Sequence, residues 1–228
     1  MKITAKELYK KLVDDYKIVG EIGSINFKIK DLSIVIKTKD SVGNLIQEWL
    51  KAWMNQNKIE FVENNNSQTF PDFLLDVENP KKGLLEVKTF DFDNGPGFDL
   101  ANFDSYSNSL LSASYRLDSD YLIFAYQMND GIITIKDIWL KKIWELTCAS
   151  KKWPLRVQDK KNVIHNIRPV IWYSERSTYK AFNSKEEFLS ALNNTRYKYP
   201  QTRFSNAHWL TNVIEDYELH TGVSLTIE

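Results

Sequence analysis

Asp72, Glu86 and Lys88 are residues whose types and spacing could do chemistry together. They lie in the run from Thr69 to Phe90, TFPDFLLDVENPKKGLLEVKTF. Pro71 precedes Asp72, both flanks are apolar, and Asn79-Pro80-Lys81-Lys82-Gly83 interrupts the run as a turn. Phe73 to Leu75 and Leu84 to Phe90 therefore read as the two strands of a hairpin. Side chains alternate along a strand, so Glu86 and Lys88 share one face while Leu85 and Val87 take the other. The hairpin returns Asp72 beside that pair. Two carboxylates and an ammonium at one sheet edge suit a hard divalent cation, usually Mg2+, which takes oxygen ligands and keeps several waters. Such a cation polarises a phosphoryl oxygen and lowers the pKa of a bound water. A lysine beside it can orient that water and offset charge on phosphorus. A solvent-facing strand pair with a cross-strand salt bridge would carry the same three residues. Spacing alone leaves both readings open.

The surrounding elements must position these groups. Thr4 caps a helix to about Tyr16, with Ala5, Leu8, Leu12 and Val13 on its apolar face. Ser24–Lys30 and Leu32–Thr38 alternate around a Lys30-Asp31 turn, a second hairpin with one face for a core or a partner. Ser41 caps a helix from Val42 to Gln56 whose stripe is Leu45, Ile46, Leu50, Trp53 and Met54. Glu48 lies off the centre of that stripe. It is either a solvated helix acid or a third carboxylate leaning toward Asp72. Lys58–Glu63 reads as a strand, followed by the polar loop Asn64–Ser67. Beyond Lys88, the loop Asp91–Phe98 holds Asn94, Gly95 and Gly97, and its glycines allow positive φ and close approach to a ligand. A helix over Asp104–Arg116, a buried strand over Tyr121–Tyr126 and a returning strand over Ile132–Ile135 complete a crossover pattern. The expected fold class is α/β (α+β), a central mixed β-sheet flanked by helices. Further on, the periodicity predicts a helix over Ile138–Thr147 and a strand over Ile164–Tyr173 marked by Pro169. It then predicts a helix from a Ser184/Glu187 capping box through Leu192, and a last helix over Ala207–His220 closed by Gly222.

Composition bounds the function. The 228 residues are 43% hydrophobic and 26% charged, which is globular. They read as a single domain of 1–228, with a core at about 41–147 and elaborations at about 17–40 and 148–205. One cysteine, Cys148, excludes an internal disulfide and a cysteine zinc cluster. The three histidines have no metal-ligand spacing, and no GK[ST] phosphate loop occurs. No secretory or membrane-spanning segment is evident, so a cytoplasmic protein is expected. The net charge of zero hides an asymmetry, with acids dominating from Ile59 to Asp130 and bases from Gly131 to Ser205. That division suits a metal centre in one place and a polyanion in another. Within the basic stretch, His165, Asn166 and Arg168 lie on the strand-like segment, and Arg176, Ser177, Thr178 and Lys180 follow in a turn. These are residue types that reach base edges and phosphates, and also ordinary loop residues. Thr195–Ser205 interleaves aromatics and bases.

With these residues in view, Pro71-Asp72…Glu86-Val87-Lys88 resembles the PD-(D/E)XK nucleases. The order of acid-bearing helix, strand, PD hairpin, ExK strand and helix looks like the core of the type II restriction endonucleases. FPDFLLD…LLEVKT and the QEW run of the helix are similar to the EcoRV-like branch and, within it, the NgoBV/NlaIV type. The resemblance implies that Asp72, Glu86, the Val87 carbonyl and, in some members, the Glu48 position hold Mg2+, with Lys88 as the catalytic lysine. It implies a homodimer acting on double-stranded DNA at a short palindrome, GGNNCC-like in the named type. It leaves two alternatives, another nuclease of the same core (a repair nuclease or junction resolvase) and a non-catalytic DNA-binding module. Asn94, Gly95, Gly97, His165, Asn166, Arg168, Arg176, Ser177, Thr178 and Lys180 are the expected DNA contacts, and the resemblance makes 1–228 a single nuclease domain with its catalytic core at about 41–147 and DNA-recognition elaborations at about 17–40 and 148–205.

Overall fold

The computed structural model describes residues 1–39, 42–64, 70–202 and 207–227. The expected Ser41 cap, most of the Asn64–Ser67 loop and the end of the Thr195–Ser205 strip lie outside them. In chain order the elements are α1 (Ala5–Lys10) with a π-helical turn (Lys11–Asp15), β1 (Ile22–Ser24), β2 (Asn26–Ile29), β3 (Leu32–Val35), α2 (Val42–Gln56), β4 (Val62–Glu63), β5 (Phe73–Leu74) and β6 (Leu84–Asp91). Then come β7 (Ala101–Asn102), α3 (Phe103–Ser109), a 3-10 turn (Ser114–Asp118), β8 (Asp120–Asn129), β9 (Ile132–Lys142), a second 3-10 turn (Ile143–Leu146), β10 (Val157–Lys160), β11 (Val163–Ile167), α4 (Lys185–Lys198) and α5 (Trp209–Thr221). The fold is mixed α/β, as expected. It divides into two compact units, Met1–Pro96 with Asp120–Lys141, and Gly97–Ser119 with Lys142–Glu228.

The first unit is built on a six-stranded sheet in the order β1-β9-β8-β6-β5-β4. Strands β6 and β8 are parallel, with Glu86 level with Tyr121 and Lys88 level with Ile123. Strands β4–β5, β5–β6 and β1–β9 pair antiparallel, so the sheet is mixed. The Tyr121–Tyr126 run is buried throughout because β8 is an interior strand. Helix α1 starts at a Thr4 cap with a full capping box: Thr4 Oγ1 accepts from the Glu7 amide, and Glu7 accepts from the Thr4 amide. Its Ala5 and Leu8, and Leu12 beyond it, join the core. Helix α2 buries Val42, Ile46, Leu50, Trp53 and Met54 in the same core, whereas Leu45, expected inside, is 39% exposed. The β2–β3 hairpin forms in the register Phe27 opposite Ile34 and Ile29 opposite Leu32.

Several expectations change. The segment Ile138–Lys142 extends β9 instead of starting a helix, and only the single turn Ile143–Leu146 follows. Trp139, Ile143 and Trp144 mimic a helical stripe. The long β8 provides a pairing partner, however, and Trp139 stacks on Phe90 (6.0 Å, 17°). The Lys58–Glu63 strand shrinks to Val62–Glu63. Lys58 takes a positive φ of 54°, and the Ile59 amide bonds back to Met54 O at the end of α2.

In the second unit β10, β11 and β7 form a three-stranded sheet, with α3 against β11 and α5 against the Ser114–Asp118 turn. A further change lies here, because the expected Asp104–Arg116 helix stops at Ser109. The Ser107 and Ser109 hydroxyls donate to the carbonyls of Phe103 (2.6 Å) and Tyr106 (2.8 Å). Asp216 then captures the amide and hydroxyl of Ser114 at 2.9 and 2.6 Å. Strand β11 ends at Ile167, before Pro169, not at Tyr173. Helix α4 has its Ser184 cap but runs on to Lys198, and Glu187 accepts from the Asn183 amide instead of closing a box on Ser184. Gly222, at φ 72°, ends α5 as expected.

Candidate active site

Strands β5 and β6 set the geometry. Phe73 pairs with Leu85 and Leu74 with Leu84. Continuing that register by one residue places Asp72 opposite Glu86. Leu85 (fully buried) and Val87 point into the core. Glu86 and Lys88 take the other face, as alternation requires, and Lys88 Nζ donates to Glu86 Oε1 at 2.8 Å. The Val87 amide donates to Asp72 Oδ2 at 2.7 Å. Gln47 Nε2 donates to Asp72 Oδ1 at 3.1 Å. The structure therefore brings Asp72, Glu86 and Lys88 together, and adds Gln47.

The pair is electrostatically unbalanced. Burial raises the Asp72 pKa above its ordinary value, opposed by the Val87 amide, Lys88 and Gln47. Burial raises the Glu86 pKa as well; the Asp72 charge adds to the shift, while Lys88 and the nearby Asp72 amide oppose it. Glu86 Oε2 is buried without a hydrogen-bond partner. A buried carboxylate oxygen with no donor is costly. A buried and a half-buried carboxylate that resist ionisation, with one orphaned oxygen, together describe a place short of positive charge. The donors are all oxygens, which fits Mg2+ and not a thiophilic metal. Val87 commits its amide to Asp72, which sets its peptide group beside the pair.

Glu48 is not brought to this site. It is exposed, 3.9 Å from Lys51, which also pairs with Glu63 at 2.5 Å. Among the described residues, no group of three acidic, histidine or cysteine ligands could hold a metal. The residue of α2 that reaches Asp72 is Gln47, the first letter of the QEW run. The docking of α2 on β6 selects it. Gln47 lies one helical turn from Gly43, where a Cβ would come within 2.8 Å of Thr89 Oγ1 on β6. That face of α2 is the one pressed on the active strand, and Glu48 is rotated about 100° away from it.

The expected DNA contacts divide between the units. In the first, Asn94 donates to Asp91 at 2.7 Å, and Lys39 pairs with the same buried carboxylate. Gly95 has φ 72°, as the loop reading requires; Gly97, the first residue of the second unit, has neither positive φ nor any atom within 4 Å of its missing Cβ. In the second unit, Asp99 gathers two of the expected residues. Asn166 donates to it at 2.9 Å, Arg168 pairs with it, and Arg168 also donates to Gly97 O at 2.7 Å. Asp99 was not foreseen, because no local pattern couples it to residues nearly seventy positions away. His165 is exposed. Arg176, Ser177, Thr178 and Lys180 lie in a loop closed by Ser177 on Tyr179 O (2.9 Å) and Lys180 on Glu175 O (2.9 Å). Several bases of the basic stretch are used internally. Lys152 pairs with Asp159, Lys185 with Asp118, and Arg196 is buried against Ser107 Oγ and the Trp209 ring.

Comparison with known proteins bears on this geometry. The family model described as NgoBV restriction endonuclease matches residues 2–228. The chain is similar to the type II restriction enzyme NlaIV of Neisseria lactamica, at 43% identity over 229 aligned residues covering 100% of this chain and 94% of the relative. It is similar to the type II restriction enzyme NgoBV of Neisseria gonorrhoeae, at 42% identity over 165 residues covering 71% of this chain and 92% of the relative. The solved structure of NlaIV restriction endonuclease superposes with a TM-score of 0.96 at 42% identity, covering 100% of this chain and 94% of that one.

Proposed function

The chain belongs to the NgoBV restriction endonuclease family, a type II restriction enzyme that cleaves double-stranded DNA at specific sites, and we infer the chemistry from its site. Asp72 and Glu86 would hold a divalent cation, Mg2+ in the cell, with the Val87 carbonyl as a further oxygen. The observation that carries this reading is the buried, partnerless Oε2 of Glu86 facing Asp72 across the β5–β6 register. The cation supplies positive charge against the phosphoryl oxygens and acidifies the attacking water. Gln47 holds Asp72 in its ligating rotamer through Oδ1, and the Val87 amide holds Oδ2. Lys88, paired with Glu86, would orient the attacking water with its ammonium and offset charge on phosphorus. In-line attack leaves a 3′-hydroxyl and a 5′-phosphate.

The functional unit is a homodimer, because two strands of a short palindrome call for two sites related by a two-fold axis. Arg168 and Asn166 read base edges, and Asp99 holds them ready until DNA replaces it; a bidentate arginine on guanine suits a GGNNCC-like target. His165, Arg176, Ser177, Thr178, Lys180 and the Asn94–Gly97 loop add phosphate and groove contacts, with residues at about 148–205 as the recognition elaboration on a core of about 41–147. No helix among the described residues is long and apolar enough to cross a membrane, and the cytoplasm, where DNA lies, is the proposed location. The test is incubation with plasmid DNA and Mg2+. Discrete fragments should form, and should vanish with EDTA or with Lys88→Ala, at a loss of at least about a hundredfold. Unchanged cutting by Lys88→Ala and Asp72→Ala would sink the assignment.

A further inference from the structure

The β2–β3 hairpin stands out by its surface. The register puts Phe27 opposite Ile34 and Ile29 opposite Leu32, so all four side chains share one face. They are 52%, 47%, 62% and 70% exposed, respectively. The lysines of these strands lie elsewhere: Lys28, opposite Ser33, takes the other face, and Lys30 is in the turn. The ribbon is anchored, not loose. Ile36 donates to Ile25 O (2.8 Å), Lys37 pairs with Asp130, and Val35 packs so closely on Gly131 that a Cβ there would lie 2.5 Å away. At its base, in the same unit, an apolar cleft of about 230 Å³ opens between α2 and β1–β9, lined by Tyr16, Ile22, Leu45, Ile46, Trp49 and Ile135.

We propose that this apolar face is the contact with a second copy of the chain, the ribbon of each copy entering the cleft of the other. The proposal rests on the nuclease reading, which needs two sites, and identifies the surface that joins them. Three observations choose a second copy as occupant. The face carries no cation, so it cannot neutralise phosphates as a DNA-binding surface must. The four side chains leave on the order of 400 Å² of apolar surface, at the size that marks an interaction site on a monomer. The cleft adds to this surface, toward the roughly 800 Å² per partner of a standard interface. Protrusion and cleft also occur on one chain, which is what an isologous contact requires, residue i on j and j on i. The cleft exceeds the ~150 Å³ of an apolar cavity that holds benzene, so it accommodates the Phe27 ring. The ribbon thus takes an assembly role in place of the DNA contact expected for residues 17–40.

The experiment is sedimentation of the full-length chain beside Phe27→Lys/Ile34→Lys, with circular dichroism to verify folding and Lys88→Ala as a control. Wild type and Lys88→Ala should sediment as dimers. The double variant should be a folded monomer whose double-strand cleavage falls at least tenfold. A photo-crosslinking residue placed at position 27 should join two chains through a peptide containing Leu45–Trp49, a readout independent of the lysine variant's folding. A monomeric wild type, a double variant that stays dimeric, or crosslinks confined to DNA would overturn the proposal. Absence of wild-type cleavage in Mg2+ with the dimer intact would instead count against the nuclease reading alone.

Discussion

At the scale of the residue, the proposed site is marked by two uncomfortable carboxylates. Asp72 and Glu86 both have pKa values raised by burial. A raised carboxyl pKa means that the folded state binds protons more tightly than the unfolded one between the two values. Stability is therefore lost as pH rises from the ordinary carboxylate range through the folded pKa. In chelator, Glu86→Gln should melt higher than wild type at neutral pH, by about 2–4 °C for each kcal/mol relieved at this length. The gap should narrow as pH falls toward about 4. Adding Mg2+ should raise the wild-type melting temperature and leave that of Glu86→Gln unmoved. Differential scanning calorimetry across pH reads both effects. Gln47 acts through Asp72. Gln47→Ala should raise the Mg2+ concentration for half-maximal cleavage about 10–100-fold while the melting temperature changes little. A Mg2+ titration of cleavage that superposes on wild type would remove Gln47 from the site.

At the scale of the element, the β5–β6 hairpin decides whether Asp72 meets Glu86. Its connection turns through Gly83 at φ 65°, and an added Cβ would lie 2.7 Å from the Asp76 amide nitrogen. Asp76 Oδ1 accepts from the Glu78 and Asn79 amides (both 3.1 Å), so this backbone has little room to yield. Gly83→Ala should cost about 1–3 kcal/mol and lower the melting temperature accordingly. Cleavage should fall with it, since a one-residue slip would move Glu86 and Lys88 to the other face. Helix α2 is the second positioning element. Its contact through Gly43 brings the Gln47 turn, and not Glu48, to the active strand.

At the scale of the whole molecule, composition is a weaker guide than it looked. The excess of bases between Gly131 and Ser205 reads as a polyanion surface, yet Lys152, Arg168, Lys185 and Arg196 have partners inside the second unit. In the proposed reading, recognition depends on the placing of a few donors, Arg168 above all. The proposed dimer has its own consequence. Mixed dimers of wild type and Lys88→Ala, formed by co-expression, should nick plasmid DNA at the site and accumulate open circles. Each such dimer holds one working site for two strands. Linear product without a nicked intermediate, measured on gels at early times, would contradict a one-site-per-strand dimer.

The chemistry was legible in the sequence where it depended on local rules. Period-two alternation puts Glu86 and Lys88 on one face, and a turn at Asn79–Gly83 returns Asp72 to them. The crossover from β6 to β8 follows from a buried apolar run after a helix. The family was legible as well, because the motif and its flanks are contiguous. Tertiary structure decided what local pattern leaves degenerate. Gln47 and Glu48 differ by one helical step, and only the docking of Gly43 on Thr89 says which turns to the site. Trp139, Ile143 and Trp144 fit a helix until β8 offers a longer pairing edge. Asp99 joins Asn166 and Arg168 only once β7 and β11 pair. In each case the deciding energy comes from a partner distant in the chain, which periodicity cannot see.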